Sequence, residues 1–161
     1  MAIKVGDSLP TNLTLKEMGD GGPKDVSVSD IFKGRRVVLF AVPGAFTPTC
    51  SMKHLPGFLE HADAIKAKGV DEIVCLSVND AFVMGAWGNA NHAKGKVRML
   101  ADGNAEFAKA VGLTLDASGF GMGTRSQRYA MIVKDGRVEQ LLVEPGPGLN
   151  VSSAESVLSK L

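Results

Sequence analysis

The sequence predicts an α/β domain with a central mixed sheet flanked by helices. Three observations carry that expectation. Short apolar runs of strand length alternate with longer stretches whose apolar residues recur at helical spacing. Two of the runs, 129–133 and 138–143, are joined by Lys134-Asp135-Gly136-Arg137, and Asp-Gly is a strong signal for an antiparallel hairpin. With 161 residues, 45% of them hydrophobic, the chain can bury one core, and a single domain over residues 1–161 is expected.

The elements follow in order. The start reads as irregular, Gly19-Asp20-Gly21-Gly22-Pro23 as a turn, and 27–32 as a short helix. Residues 36–42 form an apolar run of the kind found in buried strands. Over 51–68, Leu55, Phe58, Leu59, Ala62 and Ile65 lie at helical spacing, with Gly69 as the stop. Residues 72–78 predict a second buried strand, and Asn79-Asp80 supplies the cap for a helix over 81–91. A strand over 97–101, a short helix over 104–111, the hairpin and a closing helix over 152–161 complete the chain, with no internal repeat or linker. This order of strands and helices is that of a thioredoxin-like fold with insertions.

Charge excludes several partner classes. Lys plus Arg is 18 and Asp plus Glu is 17, a formal net charge of +1, so no strong field invites nucleic acid or a membrane surface. No run approaches the ~18 apolar residues of a membrane span, and Met1-Ala2-Ile3-Lys4-Val5-Gly6-Asp7 lacks both an apolar signal core and transit-peptide character. A cytoplasmic location is expected. In such a reducing compartment two cysteines, Cys50 and Cys75, are too few for a disulfide scaffold and point instead to packing, catalysis or metal binding.

Cys50 is the cysteine placed for chemistry. It follows the apolar strand run and the turn Val42-Pro43-Gly44-Ala45-Phe46-Thr47-Pro48-Thr49, and it precedes the amphipathic stretch. A proline two residues earlier suits a first helical turn. There, unpaired N–H groups and the positive end of the helix dipole favour thiolate over thiol.

The run from Val42 to Ser51, with His54-Leu55-Pro56-Gly57 after it, resembles the active-site signature of the peroxiredoxins, specifically the type II or peroxiredoxin-5 subfamily. Further matches are Cys75-Leu76-Ser77-Val78-Asn79-Asp80-Ala81-Phe82-Val83, Trp87, Leu100-Ala101-Asp102 and Arg125-Ser126-Gln127-Arg128-Tyr129, so the similarity spans nearly the whole chain. The resemblance implies a peroxiredoxin form of the thioredoxin-like fold and a thiol-dependent peroxidase acting on hydrogen peroxide or alkyl hydroperoxides. Cys50 would attack a peroxide oxygen as thiolate and become a sulfenic acid. Thr47 would donate its hydroxyl to a peroxide oxygen and accept another bond, Arg128 would supply a permanent charge and fixed donors, and Pro43 would shield the pocket from water and a competing backbone N–H. Recycling by glutathione with glutaredoxin, or by thioredoxin, is implied, as is a homodimer formed near the active site. No cofactor is implied.

Several residues carry two readings. Arg125 lies close enough to Arg128 to be a supporting charge. His54, one turn beyond Cys50, either tunes the thiolate or acts as a base, or else is a helix-surface or packing histidine. Cys75 sits in a fully buried strand pattern that argues for inert packing, and a disulfide with Cys50 would need the two Cα atoms within about 7 Å and local unfolding. Gly119-Phe120-Gly121-Met122-Gly123 does not join a strand to a helix as a dinucleotide site requires, and reads instead as a loop with Phe120 and Met122 walling the pocket. Cys50 and His54 could begin a zinc site, but Cys75, His61 and His92 stand at no recognised ligand spacing, so no metal is expected. Phe46, Phe82 and Trp87 are either dimer contacts or core. Competing functions are a peroxide sensor or redox relay using Cys50 stoichiometrically, a Cys50–His54 hydrolase, and an inactive interaction domain.

Overall fold

Strand β3 (Arg36–Val42) sets the frame, because its side chains alternate between two covered faces. Val38, Phe40 and Val42 join one buried cluster, and Val37, Leu39 and Ala41 join the other. The computed structural model describes residues 2–161. β3 pairs in parallel with β4 (Glu72–Ser77), which pairs in parallel with β5 (Arg98–Ala101). On its other side β3 pairs antiparallel with β8 (Tyr129–Lys134), and β8 with β9 (Arg137–Val143), through the Asp-Gly hairpin. The expected central mixed sheet is thus present, and its middle strands are continuously apolar because neither face meets water.

One face is covered by α2 (Leu55–Glu60), α3 (Ala62–Ala67), α4 (Ala81–Ala90) and α6 (Ala154–Lys160), through Leu55, Phe58, Ile65, Met84, Trp87 and Val157. The opposite face is covered by α1 (Val28–Phe32) and α5 (Glu106–Ala110), through Ile31, Phe32 and Phe107. Asp80 caps α4 by accepting the Val83 N–H at 2.8 Å.

Two expectations need correction. The start is not irregular: β1 (Thr14–Gly19) and β2 (Gly22–Ser27) form an antiparallel hairpin, and β1 extends the sheet at β5, giving the order β2-β1-β5-β4-β3-β8-β9. The stretch 51–68 is not one helix. It opens with a π-helical turn at Cys50–His54, continues as α2, and breaks at His61 before α3. The glycine-rich segment 119–123 is a loop, as expected; it connects β6 (Thr114–Asp116) to β7 (Thr124–Ser126), a small two-stranded sheet, through a 3-10 turn at Ser118–Phe120.

Because β8 runs antiparallel to β3, its first residue, Tyr129, lies beside Ala41, near the end of β3, and Val143 ends β9 at the same level. The loops after β3, before β8 and after β9 therefore meet at one end of the sheet, the usual place for a site in an open α/β sheet.

Candidate active site

The turn after β3 is held from several sides. Asn79 Oδ1 accepts the Ala45 N–H at 3.0 Å, and Thr47 Oγ1 donates to the Gly44 carbonyl at 2.6 Å. Gly44 is closely packed: a Cβ there would meet Thr47 Cγ2 at 3.1 Å, Arg125 Nη1 at 3.2 Å and Met122 Cε at 3.3 Å. Phe46 takes a left-handed φ of 63° and stays exposed. The Ser51 N–H donates to the Thr47 carbonyl at 2.9 Å, which winds the chain into the π-helical turn and seats Cys50 in the core with no exposed surface.

Arg128 reaches that buried sulfur from the loop before β8. Its Nη2 donates to Cys50 Sγ at 3.0 Å, and its Nη1 donates to His54 Nδ1 at 2.9 Å. His54 in turn places Nε2 2.9 Å from the Ser152 carbonyl. A carbonyl only accepts, so the ring proton belongs on Nε2 and the Nδ1 lone pair receives the guanidinium. Burial, with a smaller push from the Arg128 charge, lowers the His54 pKa to about 3 against the opposing pull of the Ser152 carbonyl and Glu144, so the ring is neutral. Both ring nitrogens are engaged. His54 is therefore neither a general base nor a helix-surface residue; it holds Arg128, and it packs on Phe40 with ring centroids 4.9 Å apart.

Arg128 is itself buried and makes no ion pair with any carboxylate among the described residues. A buried cation needs compensation. Within hydrogen-bond reach, the group able to provide it is the Cys50 sulfur, and a thiolate accepts a charge-assisted bond far better than a thiol does.

A cavity of about 660 Å³ is lined by Pro43, Thr47, Pro48, Phe120, Met122 and Arg128 among others, and the buried Cys50 meets it through Arg128. Pro43, Thr47, Arg128 and Cys50 are thus brought together at one site. Arg125 is turned elsewhere: its Nε donates to the Met122 carbonyl at 3.0 Å and its Nη1 to the Pro43 carbonyl at 3.4 Å, bracing the cavity wall. Cys75 lies in β4 opposite Phe40, fully buried. Its thiol is pushed well above the ordinary range by burial and by the neighbouring Cys50, against a weaker pull from Arg128. Trp87 is core rather than loop surface, with no exposure and its Nε1 donating to Ser51 Oγ at 3.0 Å, whereas Phe46 and Phe82 are exposed.

A family model described as Redoxin matches residues 4–158. The chain is 46% identical to Peroxiredoxin-2B of Arabidopsis thaliana, covering 99% of this chain and 98% of that one. The chain belongs to the redoxin family, as a type II peroxiredoxin. It is also 50% identical to chloroplastic Peroxiredoxin-2E-2 of Oryza sativa subsp. japonica, across 99% of this chain and 72% of that protein. The crystal structure of reduced Prx3 from Vibrio vulnificus in complex with hydrogen peroxide superposes with a TM-score of 0.94 at 53% identity, covering 98% of each chain. As a type II peroxiredoxin the chain has the thioredoxin-like peroxiredoxin fold and is a thiol-dependent peroxidase. What sequence reading of this peroxiredoxin missed is the support behind Arg128. The Ser152 carbonyl acts through the backbone, which no residue type advertises, and only the position of His54 hinted at its part.

Proposed function

We propose that Cys50 is the peroxidatic nucleophile, with Arg128, Thr47 and Pro43 completing the catalytic site. The observation that carries this reading is the 3.0 Å contact from Arg128 Nη2 to Cys50 Sγ, made by a guanidinium that also lines the cavity. The thiolate attacks one oxygen of the peroxide, the O–O bond breaks, and the departing oxygen takes a proton and leaves as water or alcohol. Arg128 stabilises the charge that develops on that oxygen. Thr47 spends its own hydrogen on Gly44 and holds the peroxide O–H through its lone pairs. Pro43 keeps water and a competing N–H away.

The cavity is far larger than hydrogen peroxide, and Pro48, Leu115, Phe120, Met122, Pro145 and Pro147 give it apolar walls, which supports organic hydroperoxides as substrates alongside hydrogen peroxide. One external thiol then condenses with the sulfenic acid to give a mixed disulfide and water, and a second thiol releases the Cys50 thiolate and a disulfide. Glutathione with glutaredoxin, or thioredoxin, fills that role. Burial and an elevated pKa make Cys75 a poor attacking thiol and favour a one-cysteine cycle. Exposed Phe46 and Phe82 support a homodimer.

The test is steady-state hydrogen peroxide consumption by wild type, Cys50→Ser and Cys75→Ser, with thioredoxin and with glutathione plus glutaredoxin supplied separately. Turnover should vanish in Cys50→Ser and largely survive in Cys75→Ser, with one system supporting it. Loss of turnover in Cys75→Ser would make Cys75 a resolving thiol. Oxidation of Cys50 without turnover in either system would favour a stoichiometric relay.

A further inference from the structure

Glu144 follows directly after β9, beside Arg128, and its own N–H donates to the Arg128 carbonyl at 3.0 Å. Its residue is only 6% exposed, yet no lysine, arginine or histidine pairs with it among the described residues. The carboxylate is satisfied by backbone instead. Asn150 N–H lies 3.0 Å from both of its oxygens, while Oε2 accepts the N–H of Val151 at 2.8 Å, the N–H of Ser152 at 2.7 Å and the Ser152 hydroxyl at 2.7 Å. Three successive N–H groups converging on one carboxylate make an anion-holding nest. Burial opposes the charge, but the Ser152 hydroxyl and these N–H groups outweigh it and hold the carboxyl below the usual range.

The residue so fixed, Ser152, is the one that serves the active site. Its carbonyl meets His54 Nε2, His54 Nδ1 meets Arg128 Nη1, and Arg128 Nη2 meets Cys50 Sγ. Each link has a direction that dictates the next. An anchored carbonyl puts the ring proton on Nε2, that tautomer leaves Nδ1 as an acceptor, and the acceptor fixes the plane of the guanidinium. The path closes on itself through the Glu144 N–H and the Arg128 carbonyl.

We propose that Glu144 is a positioning residue for the peroxidase reaction, setting the tautomer of His54 through Ser152 and thereby the aim of Arg128 at Cys50. This rests on the reading of Cys50 as the nucleophile. Neither Glu144 nor Ser152 bonds Cys50, so the effect reaches the peroxide step through His54 and Arg128.

The experiment measures two quantities in Glu144→Gln, a variant of nearly equal size. One is the rate constant for a single oxidation of Cys50 by hydrogen peroxide without reductant. The other is the tautomer of His54, read from its ring nitrogen resonances. We expect the rate constant to fall roughly tenfold or more, the scale of a misaimed catalytic group, and the proton on His54 to be shared between Nδ1 and Nε2. A folded Glu144→Gln protein that oxidises within twofold of wild type, or one that slows while His54 keeps its proton on Nε2, overturns the proposal. If that variant does not fold, Ser152→Ala decides by the same two readouts. It keeps the carbonyl and loses one of the bonds to Glu144, so a smaller fall with the same tautomer mixing is expected, and no change in either overturns the idea. Cys50→Ser serves as the separate check: peroxide consumption persisting there would remove the nucleophile assignment itself, independently of anything seen at Glu144.

Discussion

Arg128 has two acceptors at fixed angles, the Cys50 sulfur and the His54 ring nitrogen, and a planar guanidinium meets both at once. A lysine places a single point charge and cannot span them. Arg128→Lys is therefore expected to retain the charge and still slow Cys50 oxidation by about tenfold, and Arg128→Met by about 10²-fold or more, the range seen on removing a donor to developing charge. Stopped-flow peroxide oxidation checks both: Arg128→Lys matching wild type would mean that charge alone matters, whereas equal rates in the two variants would mean that the charge contributes nothing without the planar fork. At this scale Cys50 was marked by its place between a strand and a helix, and Thr47, Pro43 and Arg128 by the resemblance to the peroxiredoxin signature. Ser152 and Glu144 were not legible, because one contributes its carbonyl and the other grips backbone N–H groups, and such contacts leave no trace in residue type.

The elements show the same division. β3, β4 and β8 were readable because burial on both faces makes their sequences continuously apolar, and β9 because an Asp-Gly turn joins it to β8. The β1–β2 hairpin was not: Lys16, Glu17, Lys24 and Asp25 are polar residues at an edge, and its docking rests on Arg98 gripping Glu17 at 2.8 and 3.0 Å and on close helix contact. Likewise, apolar spacing over 51–68 predicts helix but is blind to the π-helical turn, a change of register by one residue. The close contact is at Gly85 in α4, where a Cβ would stand 2.9 Å from Met18 Cβ of β1. Gly85→Ala gains up to about 1 kcal/mol of helix propensity but overpacks this seam at a cost of about 1–3 kcal/mol. Net destabilisation is expected, seen as a lower urea midpoint; a higher one would mean that the hairpin is free to move away.

Across the whole molecule, stability and site share the same buried histidine. In the unfolded chain His54 takes up a proton below its ordinary pKa of about 6.5, whereas in the fold it resists protonation until about pH 3. The unfolded state therefore binds more protons in that window, and stability that is complete above about pH 6.5 is lost as pH falls toward 3. Between pH 7 and pH 4 the His54 contribution is on the order of 3 kcal/mol. Urea unfolding of wild type and His54→Gln at both pH values isolates it. The wild type should lose more stability than the variant on acidification, and parallel losses would exclude His54 as the cause. The two-faced sheet was legible from the order of elements, whereas the meeting of residues 50, 54, 128, 144 and 152 at one end depends on antiparallel register that no local pattern encodes.

The indole of Trp87 has a use beyond packing. It is the sole tryptophan of the chain, and its N–H is tied to Ser51, the residue next to Cys50. All tryptophan emission thus comes from one buried ring bonded to the turn where the sulfur changes oxidation state. Chemistry that reshapes this turn alters the surroundings of a single chromophore, so both halves of the catalytic cycle are open to optical recording without any attached dye.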